Sequence, residues 1–178
     1  MKIEKTDFED LLIINHNICL DSRGLFKEVF RNNIIEENLC YKLNFCQYND
    51  VKSYFMVLRG LHYQEEPYAQ SKLISVSVGE ILDVAVDIRK ESDSYGKYFS
   101  HVLSSENHES LFIPKGFAHG YLTLSDYALI NYKVDNIFKP NMESGIFYND
   151  KHLKINWGVD HSKLIISEKD KNLKNFIW

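Results

Sequence analysis

The chain has 178 residues, 44% of them hydrophobic and 13% aromatic, which suffices for one domain with a substantial core and is short for two. Its 21 Lys and Arg residues are scattered among 25 Asp and Glu, for a formal net charge of -4, so no nucleic-acid partner is expected. No apolar run approaches the roughly 20 residues of a membrane span, and the opening MKIEKTDFED has no apolar signal core, so no membrane partner and a cytoplasmic location are expected.

In chain order, Cys19, Cys40 and Cys46 come first. They are odd in number and lack C-x-x-C spacing, which predicts buried or inert thiols rather than a disulfide framework. NNIIEENLCYKL, residues 32–43, has room for a short helix capped by an Asn. LRGLHYQ, Leu58 to Gln64, reads as a strand that carries a guanidinium, a glycine and an imidazole. KLISVSVGEILDVAVDIR, Lys72 to Arg89, alternates twice: Ile74, Val76 and Val78 against Ser75 and Ser77, then Leu82, Val84, Val86 and Ile88 against Asp83, Ala85 and Asp87. With Gly79-Glu80 as punctuation, the period of two predicts a β-hairpin.

Short strands follow at Tyr98–Leu103, Leu111–Ile113, Gly120–Leu124 and Ala128–Val134, with turn chemistry such as IPKG and LSD between them. A second short helix fits SEKDKNLKNF near the end. Many short strands at this spacing predict an all-β closed or double-sheet architecture such as a jelly roll.

Taken singly, polar residues alternating with Val and Ile on a strand face solvent. The unusual ones form a set: Arg59, His62 and Gln64 in one strand, Lys72, Asp83 and Asp87 in the next two, His119 in GFAHG, and Tyr132 in NYK. Pointed into a barrel, they would make a polar cavity rich in titratable groups, as expected of a ligand site. A metal is one alternative, with His62, His119 and a carboxylate as a facial triad on paper, but Gln64 stands where a close second His would be needed. No Ser or Cys sits in a nucleophile elbow, and no phosphate loop or dinucleotide fingerprint is present.

Across nearly its whole length the chain resembles the dTDP-4-dehydrorhamnose 3,5-epimerase family of nucleotide-sugar epimerases, including members acting on GDP-4-keto-heptoses. The resemblance is carried in order by DSRGLFKEVF (21–30), FCQYN (45–49), LRGLHYQ, QSKL (70–73), GEILDVAVDIR, SYGK (94–97), IPKGFAHGYLTLSD (113–126), NYK, ESGI (143–146), YNDKHLKINW (148–157) and SEKD (167–170). It implies a cupin-type jelly-roll barrel with short peripheral helices, a nucleotide-diphosphate sugar as substrate, a homodimer, and no metal or other cofactor.

By that resemblance His62 is the general base, Asp170 orients and charge-stabilises its imidazole, Lys72 stands beside the sugar and Tyr132 is the acid. The residue types suit the chemistry. A ketone at C4 acidifies the hydrogens on C3 and C5, imidazole is a base poised near neutral pH, and the resulting enolate needs a fixed cation. Arg23, Glu28, Gln47, Asn49, Arg59, His119, Phe138, Glu143 and Lys169 match positions around the nucleotide and sugar, with Arg23 and Glu28 serving a neighbouring subunit. The chain departs from the family at Phe138, commonly Tyr, at Tyr148 in YND, commonly WND, and at Tyr68, commonly His; the changes at 68 and 148 are expected near the substrate. Two other readings are a 3,4-ketoisomerase on the same scaffold, disfavoured by the presence of Tyr132 and Asp170, and a sugar-binding cupin with no turnover.

Overall fold

Thirteen strands and two short helices make up the structure, a computed structural model that describes residues 1–177. The strands are β1 Lys2–Lys5, β2 Leu12–Asn15, β3 Ile18–Asp21, β4 Gly24–Lys27, β5 Gln47–Tyr54, β6 Leu58–Gln64, β7 Lys72–Val78, β8 Glu80–Asp87, β9 Tyr98–Ser104, β10 Glu109–Ile113, β11 Phe117–Thr123, β12 Tyr127–Val134 and β13 Glu143–Gly145. The helices are α1 Asn32–Glu36 and α2 Glu168–Lys171. A six-stranded sheet runs β1-β2-β10-β7-β12-β5, a five-stranded sheet runs β13-β6-β11-β8-β9, and β3-β4 form a separate ribbon. All strand pairs are antiparallel, giving the all-β, cupin-type jelly roll expected. Among the described residues no helix is long and apolar enough to cross a membrane.

Burial on both sides of each sheet explains why the strands read as they do. Ile74, Val76, Ile81, Ala85, Leu111, Tyr121 and Ile130 meet between the sheets. The C-terminal segment, through Leu153, Ile155, Trp157 and Phe176, covers Val84, Val86, Ala118 and Leu122 on the outer face of the five-stranded sheet. Ile35 of α1 and Leu43 cover Leu12, Ile14, Leu73 and Phe112 on the other sheet. The apolar face of β8 therefore looks outward into the C-terminal cover, and its Asp83, Ala85 and Asp87 face lies between the sheets. A strand whose two faces are both dry has no solvent side to carry its polar residues.

Three local expectations are corrected. β7 and β8 are not a hairpin: β7 pairs with β10 and β12, and β8 with β9 and β11. Gly79, at φ 81°, carries the chain from one sheet to the other, and a side chain there would overlap the Tyr127 carbonyl. In α1 the N-cap is Arg31, without a side-chain bond; Asn32 is the first helical residue and its Nδ2 donates to Glu36 Oε1 at 2.8 Å. Cys19, Cys40 and Cys46 are free but exposed, not buried.

Candidate active site

The strand LRGLHYQ carries an irregularity that makes the site. β6 pairs with β11 so that His62 lies opposite His119 and Arg59 opposite Tyr121, with a register shift between them. In a regular strand residues three apart face opposite sides. Here the extra residue at the shift turns Arg59 and His62 to the same cavity. Gly60, at φ 105°, sits where a Cβ would come within 2.6 Å of the His119 carbonyl and 2.7 Å of Gly120 Cα, so the two backbones can approach only if this position is glycine.

That cavity has a volume of about 730 Å³ and opens between the sheets. Lys72 and Ile74 of β7 line it together with Ile130, Tyr132 and Val134 of β12, Gln47, Asn49 and Val51 of β5, and Gln64 of β6. Phe138, Glu143, Lys169 and Asp170 close its rim.

His62 is joined to Asp170 at 2.7 Å between Nε2 and Oδ1. The other carboxylate oxygen accepts from Gly60 N at 3.1 Å. α2 aims this carboxylate. Ser167 caps the helix by accepting from Asp170 N at 3.1 Å, and the Asp170 side chain turns inward to β6 instead of back to the cap. Although burial opposes it, the bonds from His62 and Gly60 hold the Asp170 carboxyl below the usual carboxylate range. With its proton on Nε2 facing Asp170, the neutral imidazole carries its lone pair on Nδ1.

Lys72 donates from Nζ to the His62 backbone carbonyl at 3.2 Å, which ties its ammonium to the strand that carries the imidazole. Protein surrounds it on all sides except the cavity, and burial pulls its pKa down to about 8 against the opposing pull of Asp83 and Glu143. Burial likewise raises the Tyr132 phenol, with the Arg59 charge acting the other way, so it is a proton donor at neutral pH. His119, buried, meets Asp83 with Nε2 2.9 and 3.0 Å from the two oxygens. Burial lowers the His119 pKa against the pull of that carboxylate.

Twelve of the sequence-predicted residues line this one cavity: His62, Tyr132, Asp170, Lys72, Gln47, Asn49, Arg59, Gln64, His119, Phe138, Glu143 and Lys169. Lys169 and Glu143 pair at 2.5 Å on its rim. Arg23 and Glu28 do not reach it. Arg23 is 86% exposed at the tip of the β3-β4 ribbon and pairs with Asp21, while Glu28 pairs with Arg31. Asp87, expected to point into the cavity, instead holds Arg89, Ser92 and Ser94 away from it. Tyr148 and Tyr68 are not part of the lining either: Tyr148 packs beside the C-terminal cover. Among the described residues no three His, Cys, Asp or Glu side chains converge as a metal-ligand set.

Sequence reasoning missed Ser53 and Tyr121. Tyr121 lines the cavity two residues after His119 on the same strand face, so alternation from the histidine was the available signal. Ser53 had none, because a serine in a polar strand is unremarkable.

The sequence model of dTDP-4-dehydrorhamnose 3,5-epimerase matches residues 5–177. The enzyme of that name from Shigella flexneri is 46% identical over 177 residues, covering 99% of this chain and 97% of that one. The crystal structure of dTDP-4-dehydrorhamnose 3,5-epimerase from Elizabethkingia anophelis superposes with a TM-score of 0.95 at 40% identity, covering 99% of this chain and 96% of that one. The 3,5-epimerase from Legionella pneumophila, solved in complex with dTDP-4-keto-L-rhamnose, superposes with a TM-score of 0.93 at 41% identity, covering 98% and 92%. With the match running almost from end to end, in sequence and in fold, the chain belongs to the dTDP-4-dehydrorhamnose 3,5-epimerase family.

Proposed function

We propose that the protein is an isomerase that inverts C3 and C5 of a dTDP-linked 4-keto-6-deoxyhexose by proton transfer, supplying a precursor for surface glycan. The observation that carries this reading is the convergence of a cavity-facing His62, hydrogen-bonded to Asp170, with the Lys72 ammonium and the Tyr132 phenol in one cavity.

In the proposed reaction His62 removes the proton next to the ketone, and Asp170 stabilises the imidazolium that forms. The electron pair moves into a C4 enolate, whose oxygen the Lys72 ammonium stabilises. Tyr132 returns a proton to the opposite face of the same carbon, which inverts it. His62 is then protonated and Tyr132 ionised, and exchange with solvent restores both. No electron leaves the substrate, so the step calls for no nicotinamide or flavin, and the Lys72 ammonium supplies the positive charge that the enolate oxygen needs.

Arg59 takes the diphosphate, Gln47, Asn49 and Phe138 the nucleotide, and His119, Glu143 and Lys169 the remaining polar edge of the ligand. Arg23 and Glu28 act in the cavity of a second copy. The β3-β4 ribbon that bears Arg23 also exposes Leu20 at 75% and Phe26 at 70%, which supports a homodimer in which this ribbon is covered.

Incubation in D2O with dTDP-4-keto-6-deoxyglucose, followed by NMR, tests the reading. Deuterium is expected at C3 and C5 together with the inverted product. Folded protein that binds the sugar and exchanges neither position overturns it.

A further inference from the structure

Arg59 is a cation without a counter-ion: among the described residues no carboxylate lies within ion-pair distance of its guanidinium. By contrast Arg23, Arg31 and Arg89 each hold an Asp or Glu. The bond Arg59 does make is neutral. Its Nε donates to Ser53 Oγ at 3.0 Å, and Ser53 Oγ lies 2.9 Å from Tyr121 OH. Ser53 is 1% exposed and Tyr121 6%, so neither hydroxyl is loosened by bulk water. Ser53 comes from β5, Tyr121 from β11 and Arg59 from β6, so the three side chains tie the edge strand of one sheet to the interior of the other. Ser53 is absent from the cavity wall, whereas Arg59 and Tyr121 belong to it.

We infer that Ser53 and Tyr121 form a neutral clamp that fixes the plane of the Arg59 guanidinium and leaves its two terminal amino groups to a diphosphate. The inference rests on the proposed nucleotide-sugar substrate. A guanidinium is planar and donates in a fixed fork, so fixing Nε and its plane also fixes the direction of the two outward N–H pairs. A carboxylate in place of Ser53 would orient the group equally well but would neutralise it and compete with phosphate for the same donors. A hydroxyl orients it and leaves the full charge to the ligand. Ser53 can accept from Arg59 and still donate to, or accept from, the tyrosine, so its bonding is satisfied either way. Ser53 is thus a positioning residue acting through Arg59, and Tyr121 holds it in turn.

The test is calorimetric titration with dTDP and, separately, with thymidine, which has no phosphate. Ser53→Ala is expected to weaken dTDP about tenfold, the scale of one lost bond to a charged group, and to leave thymidine unchanged. Tyr121→Phe, which keeps the ring and its packing, is expected to weaken dTDP severalfold with the same selectivity. Ser53→Thr restores the hydroxyl and is expected to recover most of the affinity. In an Arg59→Ala background, Ser53→Ala is expected to add nothing, because the group it positions is gone. In turnover the Ser53→Ala change is expected to appear as a raised KM with kcat reduced less than about threefold.

Equal loss of dTDP and thymidine, or full additivity with Arg59→Ala, would show a merely structural serine and overturn the clamp. Unchanged dTDP affinity in both Ser53→Ala and Tyr121→Phe would overturn it as well. If the unaltered protein binds no dTDP, the substrate reading fails first and the clamp falls with it, an outcome distinct from the others.

Discussion

Two histidine–aspartate pairs face each other across the β6–β11 ladder, His62 with Asp170 and His119 with Asp83, and they differ in depth. His62 keeps 28% of its side chain accessible and Asp170 4%, whereas His119 keeps 9% and Asp83 none. Asp170 gives one oxygen to the imidazole and the other to Gly60 N, while both oxygens of Asp83 close on the same His119 nitrogen. The first arrangement leaves a histidine with one face open to the cavity. The second is a sealed contact whose imidazole is biased toward its neutral form by burial. The same two residue types therefore hold different offices, and depth rather than identity separates them.

Substitution can break or sharpen this division, beginning with the largest effect. His62→Asn is expected to slow deuterium exchange into the keto sugar by about 10³-fold or more, the scale of a lost general base. His119→Asn is expected to cost at least tenfold less in the same NMR assay. Equal losses would erase the distinction between the pairs.

Next in size, Asp170→Asn is expected to lower kcat about 100-fold, since the amide cannot stabilise an imidazolium, with little change in melting temperature. Asp83→Asn is expected to do the reverse. It leaves a buried imidazole with a poorer partner and costs about 2 kcal/mol in denaturant unfolding, with a smaller fall in kcat.

The pH profile gives a third test. Lys72 has its pKa pulled down to about 8, so the ammonium proposed to stabilise the enolate is lost as pH rises through that value. The rate of exchange is expected to fall above about pH 8, and Lys72→Arg, whatever its rate, should move that limb to higher pH. The smallest effect concerns stability. The unfolded chain protonates an ordinary histidine below pH 6.5, while folded His119 resists until lower pH. The unfolded state thus binds more protons there, so stability falls as pH drops through that window. His119→Gln should flatten this slope in urea titrations at pH 5 to 7, by less than Asp83→Asn costs in total.

How much of this was legible before the structure differs by region. The alternation in Lys72–Arg89 was read correctly as two strands, but a Gly-Glu between alternating runs signals a reversal of direction and says nothing about which sheet receives the next strand. β5 went unread because QYNDVKSY, with its polar residues on both faces of an edge strand, lacks an apolar face. Val84 and Val86 carry the apolar signal of β8 but face the C-terminal cover, a covering that periodicity does not reveal. Most of the candidate site came from family resemblance rather than spacing, since Asp170 meets His62 across 108 positions of chain. Ser53 and Tyr121 escaped both routes.

The register shift at Gly60 acts as a parity switch. Up to Arg59 the cavity-facing positions of β6 are odd-numbered, and from His62 onward they are even. Removal of that one residue would restore a regular strand in which Arg59 and His62, then two positions apart, still share the cavity face and still oppose Tyr121 and His119, so the extra residue sets how far apart the guanidinium and the imidazole stand along the strand rather than the side they face.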